Sequence, residues 1–146
     1  MPSHANPPDR GFFPNFDGTL SSDSACGTGD VQIHIDTNNE YANTFYDQDG
    51  NVVRTRITGA LKETFTNLET GKSVSLNVSG PLTLNFVESG LDFTSSGNAV
   101  WFAFSNLPNQ ILYTSGGIHG TVDFASNTLT FLTGPGRVED ICPRLS

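Results

Sequence analysis

Beyond residue 30 the chain alternates apolar and polar positions almost without a break. Val31, Ile33 and Ile35 fall on one face, with Gln32, His34 and Asp36 on the other. The runs 51–58, 61–67, 73–78 and 82–87 repeat the pattern, and each ends in a turn that contains glycine. A period of two is the mark of half-buried strands, whose successive side chains point to opposite faces. Further strands are predicted at 41–47, 91–94, 111–114, 118–124 and 128–133. Asp49-Gly50 supplies a hairpin dipeptide, and Thr58-Gly59-Ala60 reads as a second tight turn that pairs 51–58 with 61–67. Residues 99–104, Ala-Val-Trp-Phe-Ala-Phe, are apolar at both parities, which predicts a strand buried on both faces. Only 138–142 suits a short helical turn. The pattern therefore predicts an all-β fold, an antiparallel meander of about 8–10 strands. Short turns favour pairing between sequential neighbours, and closure removes exposed edges, so a single β-barrel is expected over the alternative sandwich.

Composition narrows this to one domain of 146 residues. Residues 1–24 read as an extended or disordered lead, Pro-rich at its start, and 25–146 as the barrel domain. Phe12, Phe13 and Phe16 are apolar for a tail and are expected to cover a barrel end or a sheet edge. If Met1 were removed, the amine two residues before His4 could chelate copper or nickel, a geometry common at chain ends; no metal or other cofactor is expected. Charged residues make up only 15% of the chain, and the net charge is −8. An acidic chain without a basic cluster is a poor partner for nucleic acid or anionic membranes. No apolar run reaches the length of a membrane-spanning helix, so no membrane insertion is expected. Cys26 and Cys142 are the sole cysteines and bracket the predicted domain, which points to one terminal disulfide and an oxidising compartment. No apolar signal core opens the chain, so a secreted protein is expected to have lost its signal.

Four segments carry a resemblance: Ser24-Ala25-Cys26-Gly27, Asp47-Gln48-Asp49-Gly50-Asn51, the run from Thr66 through Thr70-Gly71-Lys72-Ser73 to Val74, and the ending Glu139-Asp140-Ile141-Cys142-Pro143-Arg144-Leu145. Over about residues 24–146 the chain resembles a group of small exported actinobacterial proteins of unassigned function. That group usually ends in a Cys-Ala-Ala-Leu-like tail, where this chain has Cys142-Pro143-Arg144-Leu145. The resemblance implies export and a Cys26–Cys142 bridge, and no chemistry. By architecture alone the expected barrel is similar to lipocalin and allene-oxide-cyclase barrels, and architecture does not carry function.

None of the common catalytic motifs occurs: no Gly-x-Ser-x-Gly, no His-Glu-x-x-His, no phosphate loop and no dinucleotide fingerprint. Candidates are therefore single residues placed by strand parity. A hairpin about Thr58-Gly59 puts Arg54 nearly opposite Glu63 on an inward face, as a buried ion pair; reversed faces make it a solvated surface bridge. His34 and His119, with Asp36 and Asp123 nearby, would meet only through barrel closure, and otherwise stand exposed. Trp101, Phe102, Phe104 and Tyr113 form an aromatic cluster that either lines a cavity or fills a core. The first expectation is a secreted barrel that binds a small, largely apolar molecule, with Arg54, Glu63, Trp101, Phe102 and Tyr113 as its contacts. The second is a barrel enzyme, a cyclase, isomerase or hydrolase, drawing acid/base groups from Glu63, Tyr113, His34 and His119. The third is a surface or carbohydrate-interaction module.

Overall fold

The computed structural model describes residues 8–134 and 136–146; His4 and its chelating geometry lie outside them. The fold grows from one long antiparallel ribbon, β3 (Val31–Tyr46) and β4 (Val52–Asn67). Its turn is tied by Asp47, whose carboxylate accepts the N–H groups of Asp49 and Asn51, both at 2.9 Å. Two shorter strands at the start of the chain, β1 (Asp9–Phe12) and β2 (Gly18–Leu20), pair with opposite ends of β3.

Strand β4 is long enough to take two partners in succession. Along Lys62–Thr66 it pairs with β5 (Ser73–Asn77), and along Arg54–Ile57 with β6 (Leu82–Val87). The sheet continues through β7 (Gly90–Ser95), β10 (Ile118–Asp123) and β11 (Thr128–Thr133). Between β7 and β10 the chain leaves this sheet. It builds a second one with β8 (Asn98–Phe102), β9 (Ile111–Ser115) and β12 (Arg137–Asp140), in the order β12-β9-β8.

Among the described residues the fold is thus all-β and antiparallel, with two sheets and no barrel: neither sheet closes on itself. The expected meander fails where β7 turns to β8, because β10 takes the place beside β7. Gly120 permits that close fit; a Cβ there would stand 2.5 Å from the Phe93 ring. The expelled strand β8 is stable between two apolar surfaces, since its side chains divide between them. Val100 and Phe102 pack on the core of Val31, Ile33, Phe65 and Ile111, whereas Trp101 packs on the core of Phe93, Ile118 and Leu129. Phe93 and Trp101 stack with their ring centres 4.4 Å apart.

Two predicted strand breaks are not breaks. Gly59 lies inside β4, where its φ of +112° and the approach of the Asn39 carbonyl, 2.2 Å from where a Cβ would sit, demand glycine. Residues 37–40, polar enough to read as a link between strands, belong to β3. A register shift there leaves Asp36 as an extra residue facing the Lys62–Glu63 step.

A disulfide joins Cys26 to Cys142, 116 positions apart in sequence with 5.5 Å between their Cα atoms. Ala25, Ile141 and Leu145 are buried beside it. In place of the short helical turn predicted at 138–142 stand β12 and a 3₁₀ turn, Cys142–Arg144. Asn67, fully buried, donates to the Leu145 carbonyl at 3.0 Å and accepts the Glu69 N–H at 2.9 Å. Two of the segments that carry the resemblance, around Thr66–Val74 and Glu139–Leu145, therefore meet as one clasp. Among the described residues no helix is long and apolar enough to cross a membrane.

Candidate functional site

Between the two sheets lies a cavity of about 510 Å3. Its floor is the inward face of the ribbon, Ile33 on β3 with Ile57 and Leu61 on β4. Leu82, Leu84, Leu91 and Val122 close one side, and the whole of β8, Asn98 to Phe102, closes the other. Among the described residues β8 pairs with β9 alone, which leaves its second edge without a strand partner there. Phe13, Asn15 and Phe16, from the segment between β1 and β2, complete the lining. The rings of Phe16 and Phe124, 49% and 54% exposed, mark where the cavity meets solvent.

Into this apolar space project two carboxylates, Glu40 and Glu63. Both residues are buried, at 4% and 7% exposure. They reach the same face by different routes. Glu63 follows the inward parity of Leu61 and Phe65. Glu40 would point outward by the parity of Ile33 and Ile35, but the bulge at Asp36 switches the count, so that Asn38 and Glu40 turn inward opposite Leu61 and Gly59.

Their surroundings differ. Glu40 accepts a hydrogen bond from Asn15 Nδ2 at 3.1 Å, and the Phe13 N–H donates to its carbonyl at 2.9 Å. Asn38 Nδ2 adds a bond to the Phe13 carbonyl at 3.0 Å, so the N-terminal segment is pinned over the cavity. Burial raises the Glu40 carboxyl above the ordinary range, and the hydrogen bonds from Asn15 and the Gly80 backbone pull it part-way back. Glu63 has no hydrogen-bond or ion-pair partner among the described residues. Burial pushes its carboxyl up to about 7, with the negative charges of Glu40, Asp17 and Asp36 adding to the rise.

Of the residues singled out in the sequence, Glu63, Trp101 and Phe102 come together here, and Phe104 with them. Arg54 does not. The uninterrupted β4 places it on the outward face, where it stacks on Phe45 at 4.8 Å and pairs across the strand with Phe45 and Asn85; Glu63 instead faces Ile35 and Leu76. The Arg54–Glu63 pair is thereby lost. Tyr113 turns away from the cavity, and its hydroxyl donates to the Asn77 carbonyl at 2.6 Å. His34 and His119 are not brought together, because no barrel closes: His34 stands 3.7 Å from Asp36 on the outer face, and His119 stands 2.8 Å from Asp92 on β7. Asp123 is engaged by Ser126 instead. Among the described residues no group of three His, Cys, Asp or Glu could hold a metal ion. The exposed pair Phe12 and Tyr41 meets edge-on at 82°, so it offers no flat platform for a sugar ring.

The parity argument missed Glu40, Asn15, Phe13 and Phe16 as lining residues. Phe13 and Phe16 gave a faint signal, as apolar residues in a Pro-rich lead; Asn15 gave none, and neither did Glu40, since the bulge that re-aims it has no marker in the sequence. Comparison of the chain with protein-family models, with curated proteins and with solved structures returned no match.

Proposed function

We propose that the protein binds a small, largely apolar molecule in the cavity between its sheets, and that it does so outside the cell. The observation that carries the reading is an apolar cavity of about 510 Å3 into which Glu63 projects, a residue only 7% exposed whose carboxylate has no partner among the described residues. Volumes of this order suit small-molecule sites, which combine an apolar lining with a few polar groups that orient the ligand. A structural core would close such a space, because packing loss costs stability roughly in proportion to the void. The disulfide supports the extracellular part, since cystines persist in oxidising compartments.

Trp101 is the single tryptophan of the chain, and it lines the cavity. Its emission is therefore a built-in reporter. Titration with a neutral apolar probe, N-phenyl-1-naphthylamine, is expected to quench Trp101 saturably as the probe gains fluorescence. A linear, non-saturating response would overturn the reading.

An acid/base enzyme is the second reading, favoured by one observation, that Glu40 and Glu63 share the cavity. Two carboxylates held at different proton affinities could act as acid and base. It ranks below simple binding because the other proposed acid/base groups, Tyr113, His34 and His119, do not line that space.

A further inference from the structure

The cavity is one-sided in charge. Among its described lining residues the ionisable groups are Glu40 and Glu63, with no lysine, arginine or histidine. Asp17 and Asp36 add negative potential at Glu63. Lys62, the next residue along β4, is exposed and shares an outer groove with Asp36 and Glu63 rather than the cavity, and it forms no ion pair among the described residues. Arg54 and Arg56 are exposed. A fatty-acid anion placed here would add a third carboxylate to two that are already short of compensation, and a neutral alcohol would bring one donor where several acceptor positions stand open.

We propose that the natural ligand is an organic cation, a protonated amine on an apolar body, with its ammonium at Glu63 and Glu40 and its body along Trp101 and Phe102. The inference rests on the cavity-binding reading and adds the ligand's charge. An ammonium carries three donors and no acceptor, which matches two carboxylates whose donors among the described residues, Asn15 and the Gly80 backbone, both serve Glu40. Aromatic faces are compatible with a cation, by attraction to their quadrupole. Glu63 without a partner is then the empty half of an ion pair, and its raised proton affinity is what such a half shows while the cation is away. Binding an ammonium would displace the proton from Glu63, so affinity is expected to rise from pH 5 to pH 8; Glu40, Asp17 and Asp36 are the charged groups that act on Glu63 through this range, and Lys62 shares its outer groove.

The test compares decylammonium, decan-1-ol and decanoate below their micellar concentrations, read by Trp101 emission, in the wild-type chain and in Glu63→Gln. Decylammonium is expected to bind at least about tenfold tighter than decan-1-ol, with decanoate weakest, as for a charge-assisted bond in a low-dielectric site. In Glu63→Gln the amine's advantage over decan-1-ol should largely vanish. That contrast separates the cavity from the general pull of a chain with net charge −8, which one neutralised residue barely alters. If decanoate or decan-1-ol binds as tightly as the amine, or if Glu63→Gln retains the preference, the cationic assignment is wrong and cavity binding stands. If none of the three binds saturably, the cavity reading falls with it.

Discussion

Asn67 and Glu63 lie on the same inward face of β4, one turn of the pleat beyond Phe65 in either direction, and both are buried polar side chains. Their states are opposite. Asn67 bonds Thr28, Leu145, Glu69 and Thr70, whereas Glu63 bonds nothing among the described residues. The first stands at the clasped end, where the disulfide, Ile141 and Leu145 leave little space. The second stands at the open end, where the sheets part around the cavity. Burying a polar group costs free energy unless a partner compensates it. A satisfied group thus explains itself as architecture, whereas Glu63, without a partner among the described residues, is the group that the proposed ligand would compensate.

The contrast can be broken at either end. The largest effect is expected from Cys26→Ser with Cys142→Ser, which frees a loop of over a hundred residues and should cost roughly 4 to 5 kcal/mol in urea unfolding. If the two ends are separable, Trp101 emission should still report an intact cavity below the lowered melting temperature. Next comes Asn67→Ala, which strips the clasp of its buried amide; a loss of roughly 2 to 4 kcal/mol is expected by the same measurement. A cost below about half a kcal/mol would mean that Asn67 is as idle as an exposed residue.

Smallest, and opposite in sign, is Glu63→Gln. A carboxyl whose folded pKa of about 7 exceeds its unfolded value near 4.5 binds more protons in the folded chain between those limits. Its contribution to stability is therefore full below about pH 4.5 and is lost as the pH climbs through 7, by roughly 2 to 3 kcal/mol at most. Removing the charge should leave stability at pH 4 nearly unchanged and raise it at pH 8. Equal unfolding curves for wild type and Glu63→Gln at pH 8 would show that Glu63 is already compensated.

Much of this was legible in the sequence. Alternation gave strands because side-chain direction in a strand is a local property, and Val31, Ile33 and Phe65 needed no tertiary information to be assigned to a core. The two-faced apolar run at 99–104 announced a strand between two apolar surfaces, though β8 ends at Phe102 and Ala103, at φ +66°, is exposed; the paired cysteines announced their bridge. Even Glu63 could be placed on an inward face by counting back from Phe65.

Other features depended on what came alongside. Whether Gly59 turned the chain or lay within a strand depended on whether Asn39 approached it, and that is decided by the β3–β4 pairing. Glu40 was hidden for the same reason: one extra residue at Asp36 reverses the parity of all that follows, and a bulge is a property of two strands. Closure failed because β10 outcompeted β8 for the edge of β7, a contest between segments far apart in the chain. Local pattern determined which residues would be buried; only the packing of the two sheets decided that Glu40 and Glu63 would be buried around the same empty space.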